Sequence, residues 1–313
     1  MIAAVTGGGG FSGRHLVRYL EKMGVEVHRL SARPDRGSVE ARLHAVDPSD
    51  PGTLAAALRS VRPDWIFHLA GVAAGADVAE YYRINVLYAA NLLQAMEGVG
   101  LSDRPILFVG TAAEYGQLDP AQLPVTEAAP TRPLGHYGAS KLAQTHMGLA
   151  AASSGRPVII ARPGNIIGPG MPEHIAIQSF ARQIAGILAG RPAVIETGNL
   201  ESVRDFIDVE DAVRLYHRLM QEPRSIGEIV HVSTGTGTSL QEILERMIRR
   251  SGLTIELRLD PMRVRAQDVP AYIASTCKLR GLLGDVQFIP LDVTLDHIRQ
   301  HIVQTLTFRK CTS

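Results

Sequence analysis

Apolar and polar positions follow two rhythms along this chain, and the changes of rhythm mark its elements. A short apolar run, Ile2-Ala-Ala-Val5, leads through a glycine cluster into His15–Met23, where apolar residues recur at helical spacing until Gly24 stops the pattern. Val25–Leu30 reads as a second strand, Pro51–Ser60 as a helix, and Asp64–Ala70 as an apolar strand opening into a loop. The pattern then predicts a helix over about Val78–Gly98, a strand over Pro105–Gly110, a helix over Tyr137–Ser153 and a strand over Val158–Ala161. Strands and helices that take turns in this way predict a parallel sheet with helices on both faces.

Beyond Pro163 the pattern loosens into Gly/Pro-rich sequence as far as Pro172, and the domain boundary is placed there. Asp208–Met220 and Leu240–Arg250 read as helices, and Ile229–Val232 as another strand. The expected fold is α/β: a Rossmann-like doubly wound parallel sheet over residues 1–165, joined by a segment near 205–235, with 166–313 forming mainly a smaller C-terminal α/β substrate lobe. No internal repeat or low-complexity tract interrupts it.

Composition narrows the function classes. The 313 residues are 45% hydrophobic, and 32 Lys+Arg stand against 31 Asp+Glu for a formal net charge of +1. Such a chain buries a core without disulfide staples, which excludes a mini-protein or a disordered segment. Without a basic run there is no electrostatic footprint for nucleic acid or an anionic membrane surface, and neither partner is expected. No apolar run approaches the roughly 18–20 residues of a bilayer span. Cys277 and Cys311 are too few for a disulfide framework or a four-ligand zinc site, and the eleven histidines lack metal-binding spacing, so no metal is expected. A strand beginning at Ile2 leaves no room for a signal segment, and the expected location is cytoplasmic.

The glycine cluster Thr6-Gly-Gly-Gly-Gly-Phe-Ser-Gly13 lies between the first strand and the first helix, where a dinucleotide pyrophosphate must approach backbone without a Cβ in the way. Two spacings fit it, Gly8-x-Gly10-x-x-Gly13 and Gly7-x-x-Gly10-x-x-Gly13. An acid closing the second strand would hold the ribose of NAD, but the sequence there is Leu30-Ser-Ala-Arg-Pro-Asp-Arg36. Ser31, Arg33 and Arg36 suit a 2′-phosphate instead, which favours NADP(H) over NAD(H). Asp47 either accepts from the adenine amino group or forms a turn with Pro48.

Tyr137-Gly-Ala-Ser-Lys141 sets a phenol and an ammonium four residues apart on one helix face. A nearby cation stabilises a phenolate, which lets the pair exchange a proton with a carbonyl or hydroxyl at neutral pH. Thr111, at the end of an apolar strand, adds a hydroxyl to the same chemistry.

These residues resemble the extended, nucleotide-sugar-modifying branch of the short-chain dehydrogenase/reductase superfamily, along essentially the whole chain. The marks are Thr6–Gly13, His68–Gly71, Asn85-Val86, Thr111–Gly116, Tyr137–Lys141 and Arg162-Pro-Gly-Asn165. The resemblance implies that Tyr137 is the acid/base, that Thr111 binds the reacting oxygen, and that Lys141 holds the nicotinamide ribose and tunes Tyr137. It implies cofactor contacts from Gly7, Gly10, Phe11, Ser12, Gly13, Leu69 and Ala70, and substrate contacts from Asn85 and Asn165. The C-terminal half looks most like GDP-4-keto-6-deoxy-D-mannose reductases, through Ile167–Gly170, Ser179–Ile184, Gly198–Phe206 and Asp260–Pro270. That likeness assigns Arg204 and Arg265, with Arg263 behind them, to the nucleotide diphosphate.

The reading implied is NADPH-dependent reduction of the C4 carbonyl of a nucleoside-diphosphate 4-keto-6-deoxyhexose, GDP-4-keto-6-deoxy-D-mannose giving a sugar such as GDP-D-rhamnose. Where related reductases carry a bulky aromatic and a His, this chain reads Arg162-Pro-Gly-Asn-Ile166. The alternatives are an epimerase or 4,6-dehydratase with tightly bound NAD(P), and a non-catalytic dinucleotide sensor. The dehydratase carboxylate position is Ala113 here, and Glu114 faces the other way unless a loop re-aims it. Intact Thr111, Tyr137 and Lys141 speak against a sensor. Ala143, Met147 and Ala150 form a small apolar helix face that suits either a homodimer interface, which is expected, or internal core.

Overall fold

The computed structural model describes residues 1–32, 42–74, 77–264 and 269–311, with side chains up to residue 305. The first half runs β1 (Ile2–Thr6), α1 (Phe11–Lys22), β2 (Glu26–Ser31), β3 (Arg42–Ala45), α2 (Pro51–Val61), β4 (Trp65–His68), α3 (Val78–Tyr82), α4 (Tyr88–Gly98), β5 (Ile106–Val109), α5 (His136–Ser153) and β6 (Val158–Pro163). The second half runs β7 (Asn165–Ile167), α6 (Ala176–Leu188), β8 (Val194–Thr197), β9 (Val203–Asp208), α7 (Val209–Gln221), β10 (Ile229–Val232), β11 (Gly237–Ser239), α8 (Leu240–Ser251), β12 (Glu256–Leu259), α9 (Cys277–Leu283) and α10 (Leu291–Cys311).

Seven strands form one parallel sheet in the order β3-β2-β1-β4-β5-β6-β10. β1, β5 and the first four residues of β6 are nearly continuous apolar runs because both faces of the sheet are covered there. Ala3, Val5, Leu107 and Ile159 face one layer with Leu16 and Leu20 of α1 and Leu215 and Leu219 of α7. Ala4, Ile66, Phe108 and Ile160 face the other with Leu54 and Leu58 of α2 and Leu92 of α4. The chain leaves this sheet after β6 and returns through α7, which packs on α1, and β10, which pairs with β6.

A second core joins Ile177, Phe180 and Ile184 of α6, Ile243 and Leu244 of α8, and Leu295 and Ile298 of α10. Two small sheets, β11-β9-β7 and β12-β8, complete that lobe. The sequence pattern passes over these strands: β7, β8, β11 and β12 have only three or four residues, too few to show a period, and all four residues of β12 are exposed. The single helix expected from Val78 to Gly98 is interrupted by a π turn at Arg83–Leu87, and this turn carries Asn85 inward.

Candidate active site

Strand order reverses at β1, so the loops after β1 and β4 meet at the carboxyl edge of the sheet, where doubly wound folds bind ligands. Gly7 there has φ +69°, and a Cβ on it would lie 2.6 Å from the backbone nitrogen of Ala70. A Cβ on Gly13 would run into the carbonyl oxygen of Gly7. Of the two glycine spacings, the geometry therefore uses Gly7-x-x-Gly10-x-x-Gly13: Gly7 for backbone conformation, Gly13 for close packing. Gly10 caps α1 without a side-chain hydrogen bond, and the first turn holds no acid. By contrast Asp50, Asp208 and Ser239 cap α2, α7 and α8 with side-chain oxygens. Uncapped amides of Phe11, Ser12 and Gly13 at a positive helix end form a cradle that fits a pyrophosphate. The Phe11 ring meanwhile packs against both the sheet core and the lobe core.

Toward the expected adenosine end, Ser31 closes β2 half-buried, while Arg33 and Arg36 lie outside the described residues. Asp47 takes the turn-forming role: its Oδ1 accepts from the Ser49 nitrogen at 2.8 Å and from Ser49 Oγ at 2.5 Å. Those bonds hold its carboxyl below the usual carboxylate range. Leu69 and Ala70 follow β4 half-exposed, and Ala70 donates its N–H to Thr6 Oγ1 at 3.3 Å.

Helix α5 carries Tyr137 and Lys141. Gly138 lets it press on the Thr111 turn, because a Cβ there would stand 2.5 Å from the carbonyl oxygen of Ala113. Gly138→Ala is therefore expected to lower kcat by about 10- to 100-fold, since displacement by an ångström suffices for such a loss. Dinucleotide binding, followed by fluorescence, should change little; an unaltered kcat would show that the contact tolerates a methyl group.

Thr111 Oγ1 accepts from the Ala113 nitrogen at 3.3 Å, and its hydroxyl acts on the Tyr137 phenol. Burial pushes that phenol above its usual range, the Thr111 hydroxyl pulls it back, and Glu114 and Tyr81 push it up further. The sequence reading expects Lys141 to lower Tyr137 instead; the ammonium in fact donates to Gln144 Oε1 at 2.5 Å, beside the Gly71 backbone. Burial brings Lys141 down to about 8, with Glu114 acting in the opposite direction. His68 is fully buried between Tyr88 and Phe108, with Nδ1 2.8 Å from Thr6 Oγ1. Burial, then the Lys141 charge, lowers it to about 3, so it stays neutral and structural.

Asn85 departs from its expected substrate contact. It has no exposed surface; Oδ1 accepts from the Val72 nitrogen at 2.8 Å, and Nδ2 donates to the Val72 carbonyl and to Ser140 Oγ. With its carboxamide so occupied, it ties the loop after β4 to the first turn of α5. Gln144 was not foreseen, although its position three residues after Lys141 is a helical neighbour. Glu114 is likewise fully buried, accepting from the Thr111 nitrogen at 2.9 Å, so no loop turns it outward as a dehydratase base.

On the lobe side, Asn165 is exposed at the start of β7. Gly164 before it has no room for a side chain, its Cβ position being 2.5 Å from Ser233 Oγ. Arg204 is half-buried on β9 and donates Nη1 to the Val203 carbonyl at 2.8 Å. Arg263 pairs with Asp260 at 3.1 Å and Glu196 at 3.3 Å within the lobe, and Arg265 lies outside the described residues. Among the described residues no group of three or more His, Cys, Asp or Glu is placed to hold a metal ion, and no helix is long and apolar enough to cross a membrane.

Residues 3–233 match the model of the NAD dependent epimerase/dehydratase family. The chain belongs to this family. GDP-6-deoxy-D-mannose reductase of Pseudomonas aeruginosa is 33% identical over 286 residues, 90% of either chain. The structure of RMD from Pseudomonas aeruginosa complexed with NADPH superposes with a TM-score of 0.86 at 30% identity, covering 97% of this chain and 99% of that one. Thermus thermophilus UDP-glucose 4-epimerase in complex with NAD gives a TM-score of 0.82 at 28% identity, covering 96% and 99%. This member of the epimerase/dehydratase family is thus an NAD(P)-dependent oxidoreductase of the extended short-chain type, acting on nucleotide sugars.

Proposed function

We propose that this enzyme uses NADPH to reduce the C4 carbonyl of a nucleoside-diphosphate 4-keto-6-deoxyhexose, most simply GDP-4-keto-6-deoxy-D-mannose, to a GDP-6-deoxyhexose such as GDP-D-rhamnose. The observation that carries the reading is geometric: α5 places Tyr137 and Lys141 one turn apart and presses on the Thr111 turn at Gly138, while burial keeps the phenol protonated. Likeness to the Pseudomonas aeruginosa reductase supports the substrate.

The Gly7–Gly13 cradle holds the pyrophosphate, and Lys141, beside Gly71, reaches the nicotinamide ribose. The bound dihydronicotinamide supplies the hydride that C4 receives. Thr111 and Tyr137 bind the C4 oxygen as its negative charge develops, and Tyr137 transfers its proton there, leaving an alcohol. Asn165 and Arg204 bind the sugar and diphosphate, and Arg265 joins them. Arg33 and Arg36 bind the 2′-phosphate; changing both to Ala is expected to raise KM for NADPH by about 10- to 100-fold and leave NADH unaffected. Equal effects on both cofactors would remove them from phosphate recognition. We place the enzyme as a homodimer, which light scattering tests directly.

The pH dependence follows from Lys141. Its ammonium is charged below about 8 and lost above, whereas Tyr137 remains protonated through that range. The rate is therefore expected to fall as pH rises through about 8, and Lys141→Arg, which keeps its charge, should move that limb upward. A limb that stays in place belongs to another group.

The deciding experiment is NADPH oxidation with freshly generated GDP-4-keto-6-deoxy-D-mannose, the product sugar identified by NMR. Oxidation with a new C4 hydroxyl establishes the reductase. Protein that purifies with stoichiometric NAD and interconverts C4 epimers without net oxidation would instead match the epimerase relatives.

A further inference from the structure

Glu114 has no exposed surface and meets three parts of the site. Oε1 accepts the Thr111 backbone N–H at 2.9 Å, while Oε2 accepts Thr145 Oγ1 at 3.0 Å and an Arg162 Nη2 bond at 2.6 Å. Thr145 lies one helical turn beyond Lys141 on α5, and Arg162 lies on β6. Arg162, 1% exposed, donates Nη1 to the Tyr115 hydroxyl at 2.7 Å and stands 4.7 Å over that ring. Tyr115 in turn lies 2.6 Å from His231 Nε2, and His231 Nδ1 is 3.2 Å from the Ser275 carbonyl.

A buried ion pair is a poor way to stabilise a fold, since apolar groups of similar volume do as well or better. Its position suggests another use. The carboxylate grips the backbone of Thr111 with one oxygen and the helix of Tyr137 and Lys141 with the other. Resting on the reading that these three residues deliver the proton, we propose that Glu114, held by Arg162, is a positioning residue. It fixes Thr111 against α5 and sets the field in which the Tyr137 phenol and the Lys141 ammonium titrate.

Burial is the larger influence on both groups, raising Tyr137 and lowering Lys141, and the Glu114 charge raises each of them. The other titratable groups facing these two are Tyr81, whose ring is 6.5 Å from that of Tyr137, Tyr216, which burial and then Tyr137 push up, and neutral His68. Behind Tyr115 stand His231, Glu127 and Lys278. Removing the Glu114 charge leaves Arg162 uncompensated, so both changes move the phenol the same way, toward easier ionisation.

The test is an ultraviolet difference titration of the full-length protein, with the Tyr137→Phe curve subtracted to isolate one phenol. In Glu114→Gln, which keeps the shape, the Tyr137 midpoint is expected to fall by about one pH unit. The alkaline limb of kcat, set by Lys141, should move down as well because the Glu114 charge also raises that ammonium, while KM for the sugar stays within about twofold. An unchanged midpoint beside a lowered melting temperature overturns the proposal, leaving Glu114 only structural. Should that variant not fold, Thr145→Val keeps the charge pair and removes one anchor; kcat is expected to fall about 3- to 10-fold at constant KM, and an unchanged kcat refutes the proposal. The titration needs no substrate, so a wild-type enzyme inactive on the 4-keto sugar sinks the reductase reading and still leaves Glu114 to be decided.

Discussion

Replacing Tyr137 by Phe is expected to lower the rate of NADPH oxidation by about 10²- to 10⁴-fold, the usual worth of a positioned general acid. Loss on this scale follows because no other group takes over. His68 is fixed as a neutral ring bonded to Thr6, with burial holding it at about 3. Glu114 is enclosed against Arg162, and Lys141 is turned to Gln144. The phenylalanine variant keeps the aromatic volume beside Tyr81, so NADPH affinity by fluorescence titration should stay within about twofold. A rate preserved within about threefold would mean that Tyr137 is not the proton donor.

The second large effect concerns stability. Arg162→Met is expected to lower the unfolding free energy by about 3–5 kcal/mol, because it leaves the Glu114 carboxylate buried without its cation. The Tyr115 hydroxyl also loses a donor. Urea unfolding measures the loss, and pairing the change with Glu114→Gln, which removes the stranded charge, should restore roughly half or more of it. A loss below about 1 kcal/mol would show that water or another cation reaches the site. The pair lies away from solvent at 1% and 0% side-chain exposure, so this outcome would demand local opening of β6 from α5.

Much of the fold was legible because it is written locally. Continuous apolar runs such as Ile2–Val5 and Val158–Ala161 can be satisfied only by a sheet covered on both faces, and β1 and β6 are such strands. The glycine turn was legible for a similar reason: positive φ at Gly7 and contact at Gly13 are demands on single positions. Helical geometry places Tyr137 and Lys141 on one face without reference to anything distant. The short lobe strands β8 and β12 were not legible, since pairing between residues far apart in sequence, not period, makes them strands.

The site divides along the same line. Sequence by itself determined the sheet, the glycine turn and the placing of Tyr137 and Lys141 on one helix face, because each depends on backbone sterics or spacing within one or two turns. Only the tertiary structure decided what those residues touch. It turned Asn85 inward through a π turn to hold Val72 and Ser140, gave Arg263 to Asp260 and Glu196, and closed Glu114 on Arg162 from 48 residues away. A polar side chain has the same formula whether it faces ligand or core; which partner it finds is settled by the long-range packing that removes it from water.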